Sequence, residues 1–390
     1  MLKLMTPGPT QISEAVRQSL GNSLVHPDLD EKFSGDYIDL CARISSYFGT
    51  SGQCVVFPCS SSLAIEALCR SLFCENDSIL SISNGYFGDL MYSCVKDSLA
   101  GNIIYHKTNT EKSVDLDELE TWLVGNKKKI HYAIFVHCET TTGVINDIEG
   151  ISKLLRKFSI TPIVDIVSSA FAYDIRFDDW KIGACVIGGQ KALSAVPGIS
   201  CILVNNDLSN SVRNKRQRKS HTKLLDIGTW LNYNDTKYFP FTYPVYCFYA
   251  FMKAFESIEC CADETVKKHF VIASAFRNSI QNSGLKLFGH GAYSNTVSAV
   301  TIPPSIKPSE LIYYVKEKFK IQLSLSLGDM FGKVIRIGHM GYNANRQDLY
   351  FTLTGLQQAF EAQNYTLNYN IADEFDRYLL ILKANHQLCW

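Results

Sequence analysis

The chain has 390 residues, 46% hydrophobic and 19% charged, a composition typical of a globular protein long enough for two domains. Its formal net charge is zero, which excludes a global field that would attract nucleic acid or an anionic membrane. No apolar run reaches the length of a membrane span, and the first residues contain no long apolar core. The sequence therefore predicts a cytoplasmic protein without nucleic-acid or membrane partners.

Between residues 50 and 205, short apolar runs alternate with segments of helical periodicity. The predicted strands span residues 53–58, 78–83, 102–107, 131–138, 162–167, 184–189 and 200–204. The predicted helices span residues 61–73, 87–97 and 147–158, and a further helix begins near residue 113. Strands separated by helices predict an α/β fold with a mainly parallel sheet, whose ligands bind at the carboxyl ends of the strands.

The organisation changes after about residue 255, where the strands become shorter. Helices are predicted near 264–282, 308–318 and 346–362, and strands at 297–302, 321–326 and 334–337. This pattern indicates a smaller α+β domain. We predict a large domain of residues 15–255, a small domain of residues 1–14 plus 256–367, and a C-terminal tail of residues 368–390 without an assigned role.

The basic run and the cysteines each allow more than one functional interpretation. The basic run 213–219 is either a nucleic-acid or targeting signal or a solvated surface; the second is favoured, because nothing else in the chain supports nucleic-acid binding. The thirteen cysteines are odd in number, several lie in apolar segments, and no CxxC pair occurs. Free thiols in a reducing compartment are therefore predicted, and no metal site.

Two charged residues accompany predicted buried strands. Lys191 comes directly after the strand at 184–189, and Asp165 interrupts the strand at 162–167, 26 residues earlier. A lysine near apolar surface has a lowered pKa and becomes a nucleophile suited to Schiff-base chemistry. A buried carboxylate needs a partner, so Asp165 is either a capping residue of the core or an acid that pairs with a protonated ring nitrogen.

Two further strand ends are followed by hydroxyl residues. In "FPCSSSLAIEAL" a strand ends and a helix begins at about Ser61, which forms either a phosphate cradle or a simple helix cap. In "VHCETTTGV" a strand runs into His137, Glu139 and a run of threonines, which is either a turn or a ligand-facing strand end.

One cofactor needs all of these features together. Pyridoxal phosphate requires a lysine for its aldehyde, a carboxylate for its ring nitrogen, a phosphate cradle and apolar groups on both faces of its ring. Phe87 and Val167 are the candidates for the two faces. The ordered set predicts a pyridoxal phosphate site.

The motifs that carry these residues resemble those of a known family. They are "LMTPGPT", "CSSSLAIEAL", "SNGYFGDL", "HCETTTGV", "VDIVSSA", "GGQKALSAVPG" and "GKVIRIGHMG". In this order and spacing, from about residue 4 to 362, they resemble the class V aminotransferases of pyridoxal phosphate fold type I. Within that family the chain is similar to the branch of 2-aminoethylphosphonate–pyruvate transaminase and alanine–glyoxylate (serine–pyruvate) aminotransferase.

The resemblance implies a role for each matching residue. Lys191 matches the lysine that carries the cofactor and moves a proton, and Asp165 matches the acid beside the pyridine nitrogen. Phe87 and Val167 match the residues on the two faces of the ring. Phosphate-binding positions are matched by Ser61, Ser62 and Gln190, and the position near the ring oxygen by Thr140.

Three more matches concern the substrate and a second subunit. Arg336 matches the arginine that binds the substrate carboxylate, and Gly8 lies where family chains approach the substrate. Thr242, in "PFTYPV", matches a threonine that reaches the phosphate of the neighbouring subunit's cofactor, which implies a homodimer with shared active sites.

The resemblance implies amino transfer between a small amine and a 2-oxo acid. The favoured reaction takes 2-aminoethylphosphonate and pyruvate to phosphonoacetaldehyde and alanine. The alternatives are an alanine- or serine-dependent aminotransferase acting on glyoxylate or pyruvate, a lyase or decarboxylase of the same fold, and a non-catalytic protein that kept the fold. "VHCETTTG" favours the phosphonate branch, whereas "GKVIRIGHMG" favours the alanine–glyoxylate branch.

Overall fold

The computed structural model of the chain describes residues 2–21, 25–97, 102–126, 128–214 and 224–386. In these ranges the strands are β1 (Lys3–Leu4), β2 (Gln53–Phe57), β3 (Ser78–Ser83), β4 (Asn102–Lys107), β5 (Tyr132–Val136), β6 (Cys138–Glu139), β7 (Val144–Ile145), β8 (Thr161–Asp165), β9 (Ala184–Gly188), β10 (Ser200–Val204), β11 (Lys286–Leu287), β12 (Val297–Thr301), β13 (Ile321–Gln322), β14 (Ser324–Leu325) and β15 (Val334–Gly338).

The α-helices of the same ranges are α1 (Glu14–Ser19), α2 (Glu31–Tyr47), α3 (Ser61–Leu72), α4 (Tyr86–Asp97), α5 (Leu116–Gly125), α6 (Ile148–Lys157), α7 (Asn206–Asn214), α8 (Ile227–Leu231), α9 (Tyr233–Thr236), α10 (Val245–Glu256), α11 (Ala262–Asn282), α12 (Pro308–Phe319), α13 (Arg346–Glu361) and α14 (Ile371–Asn385). None of these helices is both long enough and apolar enough to cross a membrane.

A seven-stranded sheet forms the centre of the larger part of the chain, in the order β2-β10-β9-β8-β5-β3-β4. Strands β4, β3, β5, β8 and β9 pair in parallel, whereas β10 is antiparallel to both of its neighbours. Only residues 189–199 separate β9 from β10. This connection is shorter than a helical crossover requires, so β10 returns antiparallel. The predicted α/β fold with a mainly parallel sheet is confirmed.

Helices cover the sheet, so several of its strands are buried along their whole length. Strands β3, β9 and β10 are buried at every residue. Helix α6 shows how a helix fits this surface, because its buried residues Ile148, Ile151, Leu154 and Leu155 recur at helical spacing. The outcome is one large hydrophobic core with the polar strand ends at its edge.

A second hydrophobic cluster lies in the C-terminal part, between helices α11 to α14 and the sheet β11-β12-β15-β14. Met5 belongs to this cluster, and β1 pairs in parallel with β13, so the N-terminal residues pack with the C-terminal part. These contacts support the predicted small domain of residues 1–14 plus 256–367, and its boundaries stay a prediction.

The stretch predicted as a tail contains helix α14. Its residues Ile371, Phe375 and Leu379 recur every four positions and are buried in the second cluster. This spacing of apolar residues is typical of an amphipathic helix. Residues 387–390 and most of the basic run 213–219 lie outside the described residues. All cysteines in the described ranges are free thiols.

Candidate active site

Asp165 is the last residue of β8 and lies at the carboxyl edge of the sheet, with only 5% of its surface exposed. Its Oδ1 accepts a hydrogen bond from the backbone N–H of Val167 at 2.8 Å, and this contact turns the chain out of the sheet. Burial raises the pKa of the carboxyl to about 6, against the opposing effects of the Val167 hydrogen bond and the Lys191 charge. The predicted strand 162–167 therefore ends two residues too late.

Lys191 lies three residues beyond the end of β9, the strand next to β8 in the sheet. Burial lowers the pKa of its amine to about 8, and the charge of Arg336 acts in the same direction. The nearby groups of Cys138, Asp165 and Glu139 act in the opposite direction. The neutral amine, which is the form a nucleophile requires, is therefore far more populated near physiological pH than in an ordinary lysine.

The N-terminal segment covers Lys191. The Nζ atom donates a hydrogen bond to the carbonyl oxygen of Pro7. Gly8 has φ +105°, and a Cβ built on it would lie 2.6 Å from Cδ of Lys191. Only glycine fits this conformation and this approach, so the predicted position of Gly8 at the site has a steric reason.

A cavity of about 260 Å³ opens at this edge of the sheet. Its lining includes eight of the predicted site residues: Gly8, Ser61, Ser62, Phe87, Asp165, Val167, Gln190 and Lys191. These residues come from the N-terminal segment, α3, α4 and the loops after β8 and β9. The structure thus brings together groups that are far apart in sequence, while Thr140, Arg336 and Thr242 are not part of the cavity lining.

The N-terminus of α3 forms one end of the cavity. The N-cap residue Ser60 makes no side-chain capping hydrogen bond, and Ser61 Oγ lies 3.1 Å from Ser200 Oγ. Gln190 Oε1 is buried without a hydrogen-bond partner among the described residues. Exposed helix amides with the positive end of a helix dipole form a suitable site for a phosphate group.

Arg336 lies on β15 in the C-terminal part of the chain, is buried to 6% exposure, and is near enough to Lys191 for its charge to lower the pKa of that amine. Its guanidinium donates to the carbonyl oxygens of Leu325 at 3.1 and 3.3 Å and of Thr140 at 3.3 Å. Burial lowers its pKa to about 10, although the Glu139 charge raises it. The hydroxyl of Thr140 is buried and has no hydrogen-bond partner within the described ranges.

The residues that follow β5 were predicted only as a turn or a strand end, but several of them make specific contacts at the site. His137 is buried, its Nδ1 lies 2.8 Å from Ser169 Oγ, and burial lowers its pKa to about 3, so the ring is neutral. Cys138 lines the cavity. Glu139 is fully buried and binds the first turn of α4. The sequence shows a polar run after an apolar strand at this point, but that pattern does not assign a role to each residue.

Thr242 is placed differently from the other predicted residues. It lies exposed on the connection between α9 and α10, outside the cavity of its own chain. Its predicted contact with a neighbouring subunit's cofactor stays a prediction.

The cavity fits pyridoxal phosphate by the chemistry of its lining. A helix N-terminus and Gln190 face the end where a phosphate would be held, and Asp165 supplies a carboxylate for a ring nitrogen. The unpartnered amide oxygen of Gln190 is a buried acceptor in the lining, for which an N–H or O–H group of a polar ligand would provide a hydrogen bond.

Residues 9–344 match the family profile described as aminotransferase class V. The chain therefore belongs to the class V aminotransferase family and is a pyridoxal phosphate-dependent enzyme of fold type I.

The individual relatives agree with this assignment. The serine–glyoxylate aminotransferase of Arabidopsis thaliana is 28% identical over 380 residues, which cover 93% of this chain and 91% of the relative. The L-aspartate–glyoxylate aminotransferase of Paracoccus denitrificans is 27% identical over 349 residues, with 87% and 86% covered. The solved structure of pyridoxamine–pyruvate aminotransferase from Mesorhizobium loti is 23% identical, has a TM-score of 0.91, covers 98% of this chain and 97% of its own, and shows the common fold.

The lowered pKa of Lys191 predicts how the cofactor-free protein reacts with pyridoxal phosphate. The rate of covalent attachment should rise with pH up to about 8 and then level off, because the neutral amine is the reacting form. Stopped-flow absorbance measures this rate, and borohydride trapping with mass spectrometry locates the attachment. Lys191→Ala should abolish it, whereas Lys181→Ala, at an exposed lysine, should not. A rate that keeps rising towards the ordinary lysine pKa of about 10.4 would contradict the buried amine.

Proposed function

We propose that the enzyme transfers an amino group from a small amino acid, such as serine or alanine, to glyoxylate, with pyruvate as a second possible acceptor. The observation that carries the proposal is the buried Arg336 guanidinium, whose hydrogen bonds within the described part of the chain go to the backbone carbonyls of Leu325 and Thr140. Such a guanidinium favours a carboxylate, which offers two charged acceptors in place of carbonyls. The names of the relatives, serine–glyoxylate and L-aspartate–glyoxylate aminotransferase, support the choice of acceptor.

In this proposal seven residues of the cavity lining and Thr140 would bind the cofactor. Lys191 would hold it through Nζ, Asp165 would face the ring nitrogen, and Phe87 and Val167 would enclose the ring. Ser61, Ser62, Gln190 and Thr140 would bind its oxygen atoms. When bound, pyridoxal phosphate supplies an electron-withdrawing ring that stabilises negative charge on the substrate Cα.

Lys191 also moves the proton. Its pKa of about 8 is close to physiological pH, where a group both accepts and donates a proton efficiently. The hydrogen bond to the Pro7 carbonyl orients Nζ, and the absence of a Cβ at Gly8 leaves room for the Lys191 side chain. Once the amine of the substrate has displaced Nζ from the cofactor, the freed Nζ would take the proton from the substrate Cα and pass it on, and the opposite half-reaction would run this transfer in reverse.

Transfer from 2-aminoethylphosphonate to pyruvate is the second candidate. The stretch "VHCETTTG" favours it, and Cys138 of this stretch lines the cavity. A phosphonate also suits a guanidinium fork. We rank it second because the named relatives given above act on glyoxylate or pyruvate with other amines.

We further propose a homodimer with shared active sites. Three aromatic side chains beside Thr242 are exposed, Tyr238 by 57%, Phe241 by 38% and Tyr246 by 41%. Aromatic residues of this kind are enriched in protein interfaces. A second copy that covers them would bury Thr242 as well, as its proposed contact with the partner's cofactor requires. The cytoplasmic location stays a prediction.

A panel of amino donors tests the proposed reaction. Serine, alanine, aspartate and 2-aminoethylphosphonate are each mixed with the cofactor-loaded enzyme, and the change in cofactor absorption is recorded before glyoxylate or pyruvate is added. We expect serine or alanine to convert the cofactor and glyoxylate to restore it. Conversion by 2-aminoethylphosphonate alone would overturn the proposal in favour of the second candidate, and conversion by none of the donors would reject both.

Replacing Arg336 tests the carboxylate contact. Arg336→Lys keeps the positive charge but loses the planar fork, so KM for the oxo acid should rise about 10- to 100-fold, the size of one charge-assisted hydrogen bond. Steady-state kinetics with varied glyoxylate measure the change. Arg346→Ala is the control, because Arg346 is an exposed arginine paired with Asp376 on the surface, and its KM should equal that of the wild type. An unchanged KM in Arg336→Lys would reject this contact.

A further inference from the structure

Glu139, in β6, carries a carboxylate that is completely buried and fully hydrogen-bonded. Its Oε2 accepts from the backbone N–H groups of Phe87 at 2.8 Å and Gly88 at 3.4 Å. Its Oε1 accepts from Thr141, from the N–H at 3.1 Å and from the hydroxyl at 2.5 Å. A buried carboxylate is costly to keep away from water, so four converging donors indicate a defined task.

One task concerns the position of Phe87. The first turn of α4 has free N–H groups that need acceptors, and Glu139 supplies the acceptor from another part of the chain. The negative charge also suits the positive end of the helix dipole. Gly85 permits the approach, because a Cβ at this residue would lie 2.5 Å from Cγ of Glu139. The carboxylate therefore sets where α4 begins and where the Phe87 ring lies.

The other task concerns the substrate end of the site. Through Thr141, Glu139 holds the turn that contains Thr140, and the carbonyl oxygen of Thr140 accepts from Nη1 of Arg336 at 3.3 Å. One carboxylate thus connects the residue proposed for the cofactor ring with the residue proposed for the substrate carboxylate. The two lie on separate elements, α4 and β15.

We propose that Glu139 is a positioning residue that holds Phe87 against the cofactor ring and, through the turn at residues 139–141, holds Arg336 in place for the substrate. The inference rests on the proposed roles of Phe87 and Arg336. It differs from a plain helix cap, which would affect only the stability of α4.

Two substitutions separate the tasks of Glu139. Glu139→Gln keeps an acceptor oxygen for Phe87 but removes the charge and leaves the Thr141 N–H facing an amide group. We expect near-wild-type visible circular dichroism of the bound cofactor and a KM for glyoxylate raised about tenfold. Glu139→Ala removes both contacts. We expect a changed visible circular dichroism signal and cofactor release about 10- to 100-fold faster, the loss expected for hydrogen bonds to a charged group.

The control is Asp115→Ala, which removes another carboxylate cap. Asp115 accepts from the N–H groups of Asp117 and Glu118 at the start of α5, and it is not part of the cavity lining. This variant should lower the thermal midpoint without changing cofactor release or circular dichroism. If Glu139→Ala behaves in the same way, Glu139 is only a cap and the proposal is overturned.

A double-mutant cycle tests the route through Phe87 separately. In a Phe87→Ala background, Glu139→Gln should still raise KM for glyoxylate, while Glu139→Ala should add little to cofactor release beyond Phe87→Ala alone. If Glu139→Ala folds poorly, Glu139→Gln in both backgrounds still tests the route to Arg336, and an unchanged KM would overturn it. Full additivity in cofactor release would overturn the proposed route through Phe87. Cofactor release and circular dichroism need no substrate, so a failure of the proposed reaction in the donor panel is distinguishable from a failure here.

Discussion

The structure depends on keeping two opposite charges away from water at the ends of neighbouring strands. Asp165 ends β8, Lys191 follows β9, and burial shifts the pKa of each towards its neutral form. Burying an ion costs several kcal/mol unless a partner compensates it. In the proposed roles, the ring nitrogen of the cofactor would pair with Asp165 and its aldehyde would bond to Lys191, which would remove this cost and contribute to the binding free energy of the cofactor.

The rest of the fold serves this arrangement by bringing other groups to the same edge. The N-terminal segment covers Lys191 through Pro7 and Gly8, and it is held in place because β1 pairs with β13 of the C-terminal part. That part also brings Arg336 against the Thr140 carbonyl. Movement between the two parts would therefore change the contacts of Lys191 with Pro7 and Gly8 and the position of the Arg336 guanidinium together.

The strands and the charged site residues were predictable from the sequence where the pattern that determines them lies within a few neighbouring residues. The strands at 78–83, 102–107 and 200–204 have the predicted bounds, because each has aliphatic residues at its centre and a polar residue at or next to each end. The ends of β5 and β8 were placed too late, since a side-chain contact such as that of Asp165 ends the strand inside the apolar pattern. The contact of Glu139 with Phe87 was not predictable, because it joins residues 52 positions apart and depends on sheet order. Lys191 and Asp165 were recognisable because a charge beside a buried strand is costly.

The central claim is that the buried Asp165 carboxylate stays charged by pairing with a protonated ring nitrogen. The most direct measurement is the ¹⁵N chemical shift of labelled pyridoxal phosphate bound to the wild type and to Asp165→Asn, which keeps an acceptor for the Val167 N–H but has no charge. The account predicts a protonated nitrogen in the wild type near neutral pH and an unprotonated one in the variant. An unprotonated nitrogen in the wild type, or the same shift in both proteins, would contradict it.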